Sequence, residues 1–273
     1  MRLVHSFSSV RCSKDNLKVH VITFTLSALY AKNSGFEIVL HTDEFGKFLF
    51  QHAPYDEIIV DLPEPPEDTR IFAWCKFVAM ANEPIDSIHI DGDVFLKRPE
   101  FKELLSLDGC DIICQNLEEI GIYPYHQSSW NKESYAWQNC KFPTWMSRKF
   151  NKMYNVGIIG FKDEKHRDAY HTLYNEMMED FKINGKSNDC VPELISEQKL
   201  LYDYATHNNL KVKKLLDHMH IMKHARSIGY QHLLGEAKYK MFDKTKEVLK
   251  KLDSDLYDKT LDVLEKARKY KKK

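Results

Sequence analysis

Asp91 and Asp93 flank a single glycine directly after the short apolar run Ile88-His-Ile90. Such a run reads as a buried strand, and in open α/β sheets ligands bind outside the carboxyl ends of the strands. Two carboxylates leaving a strand together offer hard oxygen ligands, and Gly92 permits a tight turn between them. A divalent cation held in this way keeps phosphates and water in its shell. The same Asp-Gly pattern also closes many solvated turns. Later in the chain His218, His220 and His224 follow the last predicted strand, 211–216. A neutral imidazole there could complete a metal site begun by the aspartates.

Other residues stand out by type and place. Lys76 interrupts an otherwise apolar helical pattern, where its stem could snorkel to bring the amine to water. Asn155 and Gly157 lie in the apolar stretch Asn155-Val-Gly-Ile-Ile-Gly160, where an amide and bare backbone could meet a hydroxylated ligand. Glu197-Gln198 opens a predicted helix, a position the helix dipole favours for an acid. Between Glu118 and Phe150 no period is visible, but Tyr123, Tyr125, Trp130, Tyr135, Trp137, Phe142 and Trp145 crowd the segment. Rings at that density argue against disorder and suggest a substrate-facing stretch.

The elements that must carry these residues alternate. Strands are predicted at 2–7, 36–41, 57–60, 88–90, 94–96, 111–114, 155–160 and 211–216, with helices at 15–32, 71–82, 165–181 and 193–207. Strand and helix in alternation imply an α/β fold with a mostly parallel central sheet flanked by helices. From Tyr239 onward Phe242, Leu249, Leu252, Leu256, Val263 and Ala267 fall on one stripe with lysines between them, which predicts a C-terminal amphipathic basic helix. The expected organisation is therefore one domain over 1–235 and a basic helical extension over 236–273.

Composition narrows the function. Lys+Arg and Asp+Glu both count 40 in 273 residues, and this balance excludes nucleic acid as the main partner, which needs a large basic excess. The tail from Glu236 carries 13 basic against 8 acidic residues, so docking on an anionic membrane surface is an expectation for it. Six cysteines without a Cys-x-x-Cys pair build neither a zinc site nor a secreted disulfide framework, and with no signal-peptide pattern at the start they suggest a cytoplasmic protein. Phosphate-loop, Gly-x-Gly-x-x-Gly and Gly-x-Ser-x-Gly patterns are all missing.

Taken in order, Trp74-Cys-Lys-Phe77, Ile88-His-Ile-Asp-Gly-Asp-Val-Phe95, Tyr154-Asn-Val-Gly-Ile-Ile-Gly160, Ser196-Glu-Gln-Lys199 and His220-Ile-Met-Lys-His-Ala-Arg226 make residues 1–230 resemble a GT-A-type glycosyltransferase. The resemblance is to bacterial relatives of glycosyltransferase family eight. It implies a nucleotide-sugar donor, a UDP-sugar first, and transfer to a glycan or lipid-linked acceptor in surface polysaccharide assembly. It further implies Mn²⁺ or Mg²⁺ on Asp91, Asp93 and His220, with His218 and His224 as alternatives. Lys76, Asp91, Asn155, Gly157 and Arg226 would bind the donor, and Glu197 and Gln198 would stand beside the sugar as catalytic residues. Trp130 and Trp137 would receive the acceptor. The late motif has a glycine three residues after its histidine and a lysine six after; counted from His220 these positions are Lys223 and Arg226. A metal-dependent nucleotidyl or phosphoryl transferase, and a sugar-nucleotide-binding protein without catalysis, are the competing readings.

Overall fold

In the computed structural model the described residues are 1–64, 73–119, 142–147, 151–180, 194–216 and 221–270. In chain order they form β1 (Arg2–Phe7), α1 (Lys14–Asn33), β2 (Glu37–Thr42), α2 (Glu44–Phe50), β3 (Glu57–Val60), α3 (Trp74–Asn82), β4 (Ile88–Ile90), β5 (Val94–Leu96) and α4 (Phe101–Leu104). There follow β6 (Ile112–Glu119), β7 (Lys152–Phe161), α5 (Glu164–Asp180), a π-helical turn (Ile195–Lys199), α6 (Leu200–His207), β8 (Val212–Lys214), α7 (Ile221–Ile228) and β9 (Tyr230–His232). Three helices close the chain: α8 (Ala237–Lys240), α9 (Phe242–Leu252) and α10 (Ser254–Tyr270). The fold is α/β, with a mostly parallel central sheet of seven strands flanked by helices. No helix among the described residues is long and apolar enough to cross a membrane.

Two compact units divide the chain: Met1–Pro65 with Ile88–Leu104 and Met222–Lys273, and Pro66–Ser87 with Leu105–Ile221. The first contains the parallel strands β3-β2-β1-β4. Its strands read as continuous apolar runs because both faces are covered, with Leu3, Val4, Ile38, Val39, Leu40, Ile88 and Ile90 all buried. Ser13 caps α1 by accepting from Asn16 N, and Asp43 caps α2 by accepting from Gly46 N at 2.8 Å. Apart from that sheet, β5 pairs antiparallel with β9 in a two-stranded ribbon.

The second unit holds β7-β6-β8, with β6 antiparallel to β7 and parallel to β8. Strand β6 runs to Glu119, beyond the predicted end at 114, because its polar half pairs with β7 from Asn116↔Asn155 to Glu119↔Lys152. The aromatic residues at 123–137, Trp130 and Trp137 among them, lie outside the described residues. Trp145 stacks on His207 at 4.9 Å, and Ser147 N donates to Asp203 at 2.9 Å.

The predicted single basic tail helix is instead three helices inside the first unit, so the expected boundary at residue 235 falls within that unit. Asp253 makes the last break: its backbone is extended (φ −155°) and its carboxylate caps the next helix through Leu256 N at 2.9 Å. Leu252, expected on the stripe, is exposed because α9 ends there. Leu249 and Leu256 pack with Ile22, Leu26 and Leu29 of α1, and Val263 and Ala267 pack with Leu17 and Val21. If these helices are part of the core, Leu249→Ala should cost about 2–5 kcal/mol, as buried leucine truncations do, measured by urea unfolding. A cost below about 0.5 kcal/mol, typical of surface positions, would show the tail to be dispensable to the fold.

Candidate metal centre and a second polar cluster

The Asp-Gly-Asp turn begins where β4 ends, and Val94 N donates to Asp91 O at 2.9 Å to close it. Gly92 is needed there for close approach: a Cβ at that position would meet the Phe24 ring at 2.2 Å. That ring cannot easily swing aside, because Phe7 and His5 meet it edge-on at 5.3 Å each and Phe50 lies at 5.7 Å.

Past the turn, the ribbon register decides what faces the aspartates. Val94 lies opposite His232, and Leu233 N donates to Asp93 O at 3.0 Å. His232 Nε2 is thereby 3.1 Å from Asp93 Oδ1 and 3.9 Å from Asp91 Oδ2. One ligand atom from each of Asp91, Asp93 and His232 lies within 4.8 Å of the others. Lys238 of α8 donates to the remaining oxygen, Asp93 Oδ2, at 3.0 Å.

This donor set fits a divalent cation. Two carboxylates and an imidazole make a mixed oxygen and nitrogen set of the kind that suits Mn²⁺ or Mg²⁺. Lys238 engages only Oδ2, so Oδ1 stays with the other two ligand atoms. Burial by itself would raise the Asp93 carboxyl, but His232 and then Lys238 outweigh it and hold the group well below the usual carboxylate range. Burial would likewise lower Lys238, and Asp93 overrides it, keeping the ammonium above its ordinary value. On α1, His20 meets Tyr239 edge-on at 6.3 Å, and burial followed by Lys238 lowers it to about 4.

Among the described residues, then, the histidine brought to the aspartates is His232, which sequence reasoning missed. The signal was present: His232-Leu-Leu-Gly235-Glu-Ala-Lys238 has a glycine three residues after its histidine and a lysine six after. His218 and His220 lie outside the described residues. His224 is half-buried and Arg226 exposed on α7, and the cation found on Asp93 is Lys238, not Arg226.

The second unit brings Lys76, Glu197, Gln198, Asn155 and Gly157 into its own buried polar group. Lys76 does not snorkel: its ammonium donates to Glu197 Oε1 at 2.6 Å and to Val156 O at 3.0 Å. Glu197 and Gln198 lie in the π-helical turn, not in the first turn of an ordinary α-helix, and Tyr170 donates to the Glu197 carbonyl at 2.8 Å. Asn155 donates to Glu118 at 2.7 Å and accepts from Gly157 N at 3.0 Å. Gln198 Oε1 and Trp74 Nε1 are buried without a hydrogen-bond partner among the described residues.

Residues 1–267 match the model of a family described as "Family of unknown function (DUF6734)". No curated protein matches the chain. Among solved structures it is similar to the galactosyltransferase LgtC in complex with donor and acceptor sugar analogs, at 11% identity and TM-score 0.46, covering 78% of this chain and 73% of that one. It is also similar to the glycosyltransferase GlyE of Streptococcus pneumoniae, at 9% identity and TM-score 0.41; the match covers 84% of this chain and 49% of GlyE, so this chain spans about half of that protein. A third similar structure is the inositol-1-phosphate CTP transferase of T. maritima, at 12% identity and TM-score 0.40, covering 78% and 84%. All three scores lie below 0.5, so function has to be read from the side chains.

Gly92→Ala should destabilise the protein by about 1–3 kcal/mol through overpacking against Phe24, and Phe24→Leu in the same chain should recover part of that loss in urea unfolding. A second expectation concerns acid. Burial lowers His5 to about 3 and His20 to about 4 from 6.5, so below pH 6.5 the unfolded chain binds more protons than the folded one. Stability should therefore fall as pH drops from 6.5 toward 4, whereas the contribution of Asp93 is lost only below the ordinary carboxylate value of 3.8. His5→Gln should flatten the upper slope in unfolding curves taken across that range, and an unchanged slope would count against a buried neutral His5.

Proposed function

We propose that this chain, which belongs to that family, transfers a sugar from a nucleoside-diphosphate donor, a UDP-sugar first, to a glycan or lipid-linked acceptor. The observation that carries this is the convergence of Asp91, Asp93 and His232 within 4.8 Å, with Lys238 on the far oxygen of Asp93. A bound Mn²⁺ or Mg²⁺ would supply the positive charge that stabilises a departing diphosphate.

The chain's own groups do the rest. Asp91 and Asp93 supply hard oxygens and His232 a ring nitrogen. Lys238 keeps Asp93 ionised, and an ammonium has three donors, so it can also reach a phosphate oxygen. Gly235, at φ +54° and with nothing within 4 Å of where a Cβ would be, leaves room between His232 and Lys238 for a ligand to approach the backbone. Within the second unit, taken by itself, Gln198 Oε1 and Trp74 Nε1 are one acceptor and one donor, the complement of a hydroxyl group. In the same unit Lys76 holds the carboxylate of Glu197, the residue before Gln198.

The test is thermal unfolding with UDP, GDP, CMP and their sugars, with and without Mn²⁺, followed by product analysis. One nucleotide should stabilise the protein only with Mn²⁺, by about 2.7 kcal/mol when present at a hundred times its Kd. Asp93→Asn and His232→Ala should abolish that ligand-induced shift. Turnover should then release a nucleoside diphosphate. Release of pyrophosphate would point to a nucleotidyl transferase, and binding indifferent to Mn²⁺ and to Asp93→Asn would point to a binding protein.

A further inference from the structure

We propose that Ser27 of α1 and Ser34, which caps its C-terminal end, are positioning residues for the cation held by Asp91, Asp93 and His232. The inference rests on the metal centre proposed above and concerns how its geometry is fixed. Strand β5 has only three residues, yet it sets the relation between Asp93, which precedes it, and His232, which lies opposite its first residue. On the β9 edge Leu233 N donates to Asp93 O and Lys97 N to Gly229 O. Alternation along an antiparallel pair turns the Val94 and Leu96 carbonyls to the opposite edge. There α1 and its C-cap take both: Ser27 Oγ donates to Val94 O at 2.5 Å and the C-cap residue Ser34 donates through Oγ to Leu96 O at 2.9 Å.

Both serines are buried, and the first is locked in its turn. Ser27 has one hydroxyl hydrogen, given to Val94 O, so its 3.2 Å contact with His5 Nε2 is one in which it accepts. That places the His5 proton on Nε2 and leaves Nδ1 to accept from the Tyr55 hydroxyl at 2.8 Å. A directional chain, Tyr55 to His5 to Ser27 to Val94, therefore ends on the residue next to Asp93. Loss of the Ser27 hydroxyl would leave a buried carbonyl unpaired and let β5 shift, carrying Asp93 with it.

Mn²⁺ titration of the full-length protein, followed by the electron paramagnetic resonance of the free ion, tests this without any turnover. Ser27→Ala should weaken Mn²⁺ binding by about tenfold, as loss of groups that orient metal ligands does, and Ser27→Thr, which keeps the hydroxyl, should restore most of it. Ser34→Ala, farther along β5 and usable even if Ser27→Ala fails to fold, should weaken binding by about threefold. A lowered melting temperature with unchanged Mn²⁺ affinity in both alanine variants would make the serines structural only and overturn the proposal. Wild-type protein that binds no Mn²⁺ would overturn the metal centre itself, and the proposal with it.

Discussion

A buried carboxylate must be compensated, and in this chain the compensation of Asp93 organises the first unit. Its two partners, His232 and Lys238, come from far along the sequence, Lys238 being 145 residues away. Both contacts need the chain to return after α7, pair β9 with β5 and enter α8 at once. Removing one partner of a buried charge pair leaves the other desolvated and alone, which costs about 3–5 kcal/mol. The ribbon register, the Gly92 turn and the C-terminal helices are therefore one construction. A change in any of them is felt at the carboxylate.

The second unit applies the same rule with less solvent. Lys76 and Glu197 are both buried and close a contact that spans 121 residues of sequence. A pair of this kind is weak evidence for stability, since apolar residues of equal volume often do as well. What it does fix is direction. Glu197 sits on a π-helical turn, a distortion often found at functional sites, and beside it Gln198 leaves an acceptor unsatisfied. The unit spends stability on polar groups whose geometry would serve a ligand better than a core.

Much of this was legible in the sequence. Strands β3, β4 and β5 were read at their observed ends because an apolar run bounded by turn residues has few other uses in a chain of this class. Asp91 and Asp93 were found because a strand pointed at them. His232 was missed because its strand, Tyr230-Gln-His232, is short and polar and draws its structure wholly from pairing with β5. A denser group of histidines upstream drew attention away from the spacing His232, Gly235, Lys238. The polar half of β6 was lost for a related reason: Gln115, Asn116 and Glu118 are buried, Gln115 donating to Asn116 and Glu118 accepting from Asn155 of β7, a partner that no local pattern reveals.

The C-terminal lysines read as marking one basic helical extension over 236–273, and the reason this stretch groups with the first unit lies in α1. That helix buries Val21, Ile22, Leu26, Ala28 and Ala31, and also Thr23, Thr25 and Ser27, so it is covered on most of its surface. A helix covered in this way shows no clean amphipathic stripe, and its need for a second layer cannot be seen from its own sequence. Helices α9 and α10 supply that layer, through Leu249, Leu256, Val263 and Ala267, while the Ser27 and Ser34 hydroxyls hold β5. The lysines are the wetted side of these helices. Their apolar side presses on the helix that steadies Asp93, and the run they belong to begins with the α8 residue, Lys238, that neutralises it. What reads as an appendage in composition is, in packing, part of the support of the candidate centre.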